Sequence, residues 1–598
     1  MSQIEPNCFN LERNLRADEN FVEGGVENTP MDKSNDTVKK TSSLIEKHQS
    51  IQIVFAIFLV GFFFRLFLLK FRYVVAFDEV NYLKLGVSGY LEGMYAVFHP
   101  YWSPLLPSLI SFSCHIFSSY EFAARFISVL SGALLIFPTF QVAKRIYSEK
   151  AALFAAAFVE FYPPLAFQST RIYTESLFML VGTIVLLFGL KWLETNEMKW
   201  LFIIGSGSGL LYLLHPLGVG FLIVMLGWVV LGKIVNWQTS SVPRMMGRVF
   251  VLCFSFVMVA SPYLMYLKKQ TGVWTLSAKA AANQQFEAYE KGDEDTDTDT
   301  DPFLALDKKN ETVPFDQIYH QGDFLQRTQD SPRQISTVKL GSFLARYFKN
   351  VYIMLKTTIP TMLTTILMIL LSLGLFGDGP QRTRGKKIGF LLSFIGFYWF
   401  LVIPAFHITE RYLTPLWPVC AIFVANGFWV FTKWLYNSSS IEKVSEKFHF
   451  RTMTVSNIFV GVLVFTLSFL PEFGKIVSRN PFSPDYWTPP MEQRIAGEWL
   501  KKHTDGPPVL MSRYQSVDIY AGNYDIHQSI TIPDNAIERV VAYARNRGVQ
   551  FIVLNERYKK DNPKITYLYE SDIAPLGLKQ IYAKRDASGY LTKIYQVL

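Results

Sequence analysis

Cysteine is almost absent: Cys8, Cys114, Cys253 and Cys420 are scattered over 598 residues. No CxxC pair or Cys/His ligand spacing occurs, which argues against both a disulfide framework and a zinc site. Charge is scarce as well. Asp, Glu, Lys and Arg make up 18% of the chain, against about 25% in soluble domains. There is no glycine-rich loop to cradle a nucleotide's phosphates, and no nucleophile elbow.

Apolar residues are plentiful, at 50% of the chain with 16% aromatic and a mean hydropathy of +0.19. Their distribution is uneven. Residues 1–50 are polar and 471–598 read as an ordinary soluble sequence, so the apolar excess lies between them. In a soluble protein a net charge of +9 would suggest nucleic acid. In a membrane protein its placement matters more than its sum, and the partner expected here is the lipid bilayer, with no nucleic acid.

A polar stretch of 50 residues precedes the first apolar run, which excludes a cleavable signal peptide. That run, 51–69, is long enough to cross a bilayer, which takes roughly 20 residues. Its one charge, Arg65, lies near an end and is expected to snorkel. Residues 1–50 are read as a disordered cytoplasmic tail. Further apolar runs lie at 122–142, 151–170, 176–192, 199–214, 217–232, 248–267, 351–376, 388–405, 412–432 and 453–470. The reading is a polytopic α-helical membrane protein of about eleven spans. With the tail inside, the basic segments 144–150, 191–199, 233–248, 382–387 and 433–451 all become cytoplasmic, as the positive-inside tendency requires. The C-terminal part then lies outside. Segment 104–117 is apolar but short and contains Pro107. Counting it as a span would invert every later loop, so it is assigned to an interfacial or re-entrant helix.

The outer face then holds a first loop at 70–121, a long loop at 268–350 and the tail domain 471–598. Within the long loop, 291–301 is an acidic run without EF-hand spacing, read as a solvated linker rather than a calcium site. In the tail, 491–502 and 535–547 have helical patterns, the second closed by Gly548, while 509–512 and 550–554 read as strands. This is a small soluble α/β domain, a scaffold or acceptor-binding unit.

Ionisable residues at a membrane's edge are costly and usually functional. Asp78 and Glu79 directly follow the first span. Over an apolar floor, partial desolvation raises a carboxylate's proton affinity, which suits a general base; the competing reading is a hydrated loop carboxylate. Glu175, His215, His407 and Arg411 fall on the same predicted face. His215 also reads as a helix cap, and Arg411 as a headgroup anchor. Together they suit a lipid phosphate, which arginine can clamp bidentately.

Five segments in order resemble the GT-C glycosyltransferases of the protein O-mannosyltransferase and aminoarabinose transferase type, over roughly residues 51–470. The first is Asp78-Glu79-x-x-Tyr82. Ser103-Pro104-Leu105 follows, with Glu121-Phe122-Ala123-Ala124-Arg125-Phe126 after it. The others are Thr174-Glu175-Ser176-Leu177, Leu213-Leu214-His215-Pro216, and Glu410-Arg411-Tyr412-Leu413-Thr414-Pro415-Leu416-Trp417-Pro418. The resemblance implies displacement, with inversion, at the anomeric carbon of a polyprenyl-phosphate-linked sugar. Asp78 would be the base, Glu79 would orient the acceptor or the loop, and Glu175 would assist at the acceptor side. Arg411, His407 and His99 would hold the departing phosphate, and Tyr82, Trp102, Arg171 and His215 would line the pocket. Two positions depart from the family pattern: Trp102 stands where the lipid A transferases have a phosphate lysine, and His215 replaces a commoner arginine. The acceptor is a glycan, a lipid or a protein; no cofactor is certain, and a divalent metal is left open but not favoured. The alternatives are a transporter or lipid flippase, against which stands the apparent lack of paired charges deep in the spans, and an oligosaccharyltransferase-like enzyme with a pyrophosphate donor and a divalent metal.

Overall fold

Long apolar helices alternate with breaks at proline and glycine, and end in a separate sheet domain. The computed structural model describes residues 33–76, 78–234, 241–277, 340–377, 382–405, 408, 410–436, 490–532, 535–571 and 573–598. The chain divides into two units, Met1–Gln52 and Ile53–Leu598. The helix bundle from Ile53 onward and the sheet domain both belong to the second. Among the described residues seven helices are long and apolar enough to cross a membrane, or up to eight if a bent pair counts as one span.

Several sequence expectations change here. The helix carrying the first span starts at Lys33, so 33–50 is helical rather than part of a disordered tail. That stretch has no Pro or Gly to end the helix. The run 151–170 is not one straight helix. It divides into Glu149–Phe161 and Pro163–Gln168, because Pro163 has no amide to continue the ladder and starts a new helix instead. The run 351–376 is also broken: Phe343–Met362 and Thr365–Phe376 meet at 98°. A π-helical stretch, Met354–Thr358, and Pro360 lie in the turns just before this bend, which falls at residues 363–364. Met198–Leu214 is a shorter apolar helix, and the expected span 453–470 lies outside the described residues, as does the acidic run 291–301. The short segment after Pro104 forms the 10-residue helix Leu105–Cys114, which is too short to cross a membrane.

Small residues let the helices approach closely. A Cβ on Gly374 would collide with the Phe423 carbonyl, and one on Gly427 with that of Leu370. The helices Thr365–Phe376 and Trp417–Tyr436 therefore meet backbone to backbone, as small-residue helix interfaces do. Arg65 does not snorkel. It is buried against Glu160 at 2.5 Å and also donates to the Val159 carbonyl, and Gly61 leaves the space that the Glu160 side chain fills. A paired charge inside the bundle thus exists, contrary to the sequence reading. One end of the bundle carries a second group, in which Glu194 pairs with Arg145 and with Lys387, the latter at 2.7 Å.

The C-terminal sheet has the order β2-β1-β3-β5-β4, with β1 Leu510–Ser512, β2 Ser529–Ile530, β3 Phe551–Asn555, β4 Leu578–Arg585 and β5 Leu591–Val597. The pairs β1/β2 and β1/β3 are parallel, and β3/β5 and β5/β4 are antiparallel. Alternation along the strands gives each face its own helix. Met511, Ile552, Leu554 and Tyr595 pack with Val540, Val541 and Ala544 of the helix Ile537–Asn546. Leu510, Val553 and Ile594 pack with Ala496 and Leu500 of the helix Met491–His503. Gly548 closes the Ile537–Asn546 helix at φ +65°, the role expected of it.

Candidate active site

Asp78 and Glu79 form the first turn of the helix Asp78–Glu92, where negative charge is favoured by the helix dipole. Their side chains part at once. Asp78 remains one-third exposed, whereas Glu79 turns into the protein and is buried.

Arg411 connects what the chain separates. Its Nη1 donates to Asp78 Oδ2 at 2.6 Å, and its Nε donates to Glu175 Oε1. The planar guanidinium fork suits two carboxylates at once. It also lies on the Tyr173 ring, 4.0 Å from the centroid. Glu175 opens the helix Glu175–Thr195 and is buried, and its Oε2 has no hydrogen-bond partner among the described residues. The apolar floor expected beneath Asp78 is therefore a cation bridging two acids.

The loop before Glu175 is pinned from several sides. Glu79 accepts the amides of Ile172 at 3.1 Å and Ala76 at 3.3 Å. Arg125 lies 3.8 Å from Glu79, pairs with Glu121 at 2.9 Å and donates to the Thr170 carbonyl at 2.9 Å. Arg72 donates to Thr170 Oγ1 and to the Phe167 carbonyl, both at 2.7 Å. The backbone so fixed presents Arg171 and Tyr173. Arg171 donates to the Tyr173 hydroxyl at 3.4 Å and lies 5.4 Å from that ring's centroid. Among the described residues it has no carboxylate partner. Burial, followed by the Glu79 charge, pushes the Tyr173 phenol up to about 12. Burial and then Asp78 also raise Tyr82, which is hydrogen-bonded to Thr174. Both phenols thus remain neutral near pH 7.

The other expected residues are placed as follows. His99 is buried, and its Nδ1 accepts the amides of Tyr101 at 3.1 Å and Trp102 at 3.3 Å. Its carbonyl accepts from Tyr263 at 3.0 Å, so the side chain shapes the loop leading to Trp102. Trp102 is buried edge-on to Tyr82, with centroids 5.1 Å apart. His215 Nδ1 accepts the Leu217 amide at 3.2 Å and caps the turn that begins at Pro216. His407 lies outside the described residues. Sequence reasoning assigned no role to Tyr173, Arg72 or Arg125. For Arg125 the signal was present: a charge in an apolar helix, four residues after Glu121.

Among the described residues no three His, Cys, Asp or Glu side chains converge as a metal site would need. Asp78 and Glu175 are bridged by the Arg411 guanidinium.

Residues 99–260 match the family described as dolichyl-phosphate-mannose-protein mannosyltransferase. That match takes in Arg171, Glu175 and His215, but not Asp78 or Arg411. Among curated proteins no sequence match is found. Among solved structures the chain is similar to the oligosaccharyltransferase AglB of Archaeoglobus fulgidus, in complex with an inhibitory peptide and a dolichol-phosphate. Identity is 12%, the TM-score 0.54, and the match covers 86% of this chain and 70% of that one. It is also similar to ArnT of Cupriavidus metallidurans bound to undecaprenyl phosphate, at 12% identity and a TM-score of 0.52, covering 91% of this chain and 97% of that one. The fold is therefore like that of these two membrane proteins, and residues 99–260 resemble the mannosyltransferase family.

Proposed function

We propose that this GT-C fold serves a membrane glycosyltransferase that moves one sugar from a polyprenyl-phosphate donor to an acceptor hydroxyl or amine, with inversion. One observation carries the reading: a one-third-exposed carboxylate, Asp78, is held by Arg411 to a second, buried carboxylate, Glu175. Beside them Arg171 has no acid to neutralise it among the described residues. A base, a cation that orients it and a cation available to an anion are what direct displacement at a sugar phosphate requires.

In the proposed step the acceptor oxygen or nitrogen forms a bond to the anomeric carbon from the face opposite the phosphate. Its proton passes to Asp78. The bond from the anomeric carbon to the phosphate oxygen breaks, and the electron pair leaves with polyprenyl phosphate. Arg411 holds Asp78 through Oδ2, so Oδ1 is the oxygen proposed to take the proton. Arg171, with Arg411 at the same Tyr173 ring, is proposed to bind the donor phosphate equally before and during the displacement. Glu175, through its second oxygen, is proposed to accept a hydrogen bond from the acceptor. The partners are therefore a polyprenyl-phosphate-linked sugar and a glycan, lipid or protein acceptor. The site is proposed to face away from the cytoplasm, with the N-terminus inside, because the basic connections fall at the other ends of the spans.

The test is to incubate membranes holding the full-length chain with dolichyl-phosphate mannose and a panel of other polyprenyl-phosphate monosaccharides. Release of free polyprenyl phosphate from one of them, unaffected by chelators, supports the reading. Turnover only with pyrophosphate-linked oligosaccharides, and only with divalent metal, would replace it with an oligosaccharyltransferase reading.

A further inference from the structure

We propose that the C-terminal sheet domain is a working part of the transfer site, because it grips the Asp78 segment on both sides; Tyr520, Asp518 and Lys84 are then positioning residues for the base. The inference rests on the role given to Asp78 above.

Asp78 begins the helix Asp78–Glu92, and residues 72–76 before it belong to no regular element. The sheet domain supplies what is missing. Just before Asp78, the amide of Val75 donates to the Tyr520 hydroxyl at 2.8 Å, and the carbonyl of Tyr73 accepts from Arg494 at 2.7 Å. About two turns after Asp78, Lys84 Nζ donates to Asp518 Oδ2 at 2.9 Å and to the Asp525 carbonyl at 3.4 Å. The Lys84 and Asp518 side chains are 0% and 1% exposed. Asp518 and Tyr520 belong to one short helix, Ser516–Tyr520, so a single element holds the chain upstream and downstream of the base. That helix is itself fastened to its domain: a Cβ on Gly497 of the helix Met491–His503 would meet the Val517 carbonyl at 2.5 Å. The Arg494 guanidinium covers the Tyr520 ring at 5.1 Å.

The chemistry of the grip points to geometry rather than to stability. A fully buried ion pair gains little over apolar side chains of the same volume, since desolvation offsets the attraction. It does impose direction, because Lys84 must find both Asp518 and the Asp525 carbonyl. A base misplaced by about 1 Å costs on the order of 100-fold in rate. A clamp around Asp78 is therefore worth more to turnover than to folding, and its loss is expected in kcat.

The experiment uses the full-length chain in membranes and follows dolichyl phosphate released from dolichyl-phosphate mannose, or the corresponding product of whichever panel donor the wild type consumes. Tyr520→Phe removes one hydroxyl. The double variant Lys84→Met with Asp518→Leu removes both buried charges together. The double variant is expected to keep the wild-type melting temperature, and Tyr520→Phe to lower it slightly through the Val75 amide left unpaired; both are expected to keep a donor KM within about twofold and to lose about tenfold or more in kcat. Asp518→Glu, which retains the pair at shifted length, is expected to lie between them and the wild type. Folded variants with wild-type kcat would overturn the clamp, and so would variants that lose kcat only in proportion to thermal stability. Asp78→Asn is run alongside. If it is fully active the base assignment fails, whatever Tyr520→Phe does; if it is inactive while Tyr520→Phe is unimpaired, the clamp alone fails.

Discussion

Arg411 donates to Asp78 across 2.6 Å although 333 positions separate the two residues. The same guanidinium reaches Glu175, so three distant segments of chain meet at one cation. Removing it would leave two carboxylates facing each other without a counter-charge.

Arg411→Lys should be nearly as damaging as full removal. A lysine ammonium is a point charge and lacks the fork that engages two acids at fixed angles. Turnover, measured as release of polyprenyl phosphate, should fall on the order of 100-fold, as for a misplaced base. Wild-type turnover in Arg411→Lys would mean that the bridge does not orient Asp78.

Arg171→Ala should act on donor affinity instead. A hydrogen bond to a charged group is worth about 1.5–3 kcal/mol, or roughly 10- to 100-fold in binding. Donor KM should rise by that factor while kcat changes by less than about threefold. The reverse pattern, kcat lost at constant KM, would assign Arg171 to the chemical step.

Glu79→Gln tests the loop frame. Glu79 accepts two backbone amides and faces Arg125, whereas a glutamine would turn an NH2 group towards one of those amides. The cost of the buried mismatch is about 1–3 kcal/mol, which should appear as a lower melting temperature in detergent. An unchanged melting temperature would show that the loop does not depend on this carboxylate.

Glu160→Ala strands Arg65 in the bundle. Breaking one side of a buried pair costs about 3–5 kcal/mol, while replacing both partners with apolar residues is close to neutral. The single variant should therefore lose stability strongly, and Arg65→Met with Glu160→Met should recover most of it. Equal melting temperatures for the two would contradict the pairing as described.

The sequence carried the outline of this site and not its wiring. Asp78, Glu175 and Arg411 were legible because charge at the end of an apolar run is conspicuous. Their mutual contact was not, since pairing over such a separation leaves no local pattern. Tyr173 and Arg72 escaped notice because aromatic and basic residues at membrane edges are common. His99, expected at the phosphate, is occupied with the amides of Tyr101 and Trp102, a loop-capping role that neighbouring residues do not announce. Two helices and two strands of the tail domain were readable from periodicity to within a few residues, whereas β2, β4, β5 and the helix Ser516–Tyr520 were not. The docking of Ser516–Tyr520 on the Asp78 helix was not, because Lys84 and Asp518 read as ordinary surface charges until the fold buries them. The breaks at Pro163 and near Pro360 had visible causes in the sequence, but length and hydropathy alone had smoothed over them.

The central claim is that Asp78 takes the acceptor's proton. Asn at position 78 can still accept from Arg411 but cannot accept a proton, so Asp78→Asn separates chemistry from architecture. Transfer from the polyprenyl-phosphate donor that the wild type uses should fall by about 10²- to 10⁴-fold, the usual weight of a general base, with donor KM and melting temperature unchanged. A folded Asp78→Asn protein that transfers sugar at the wild-type rate would contradict the account.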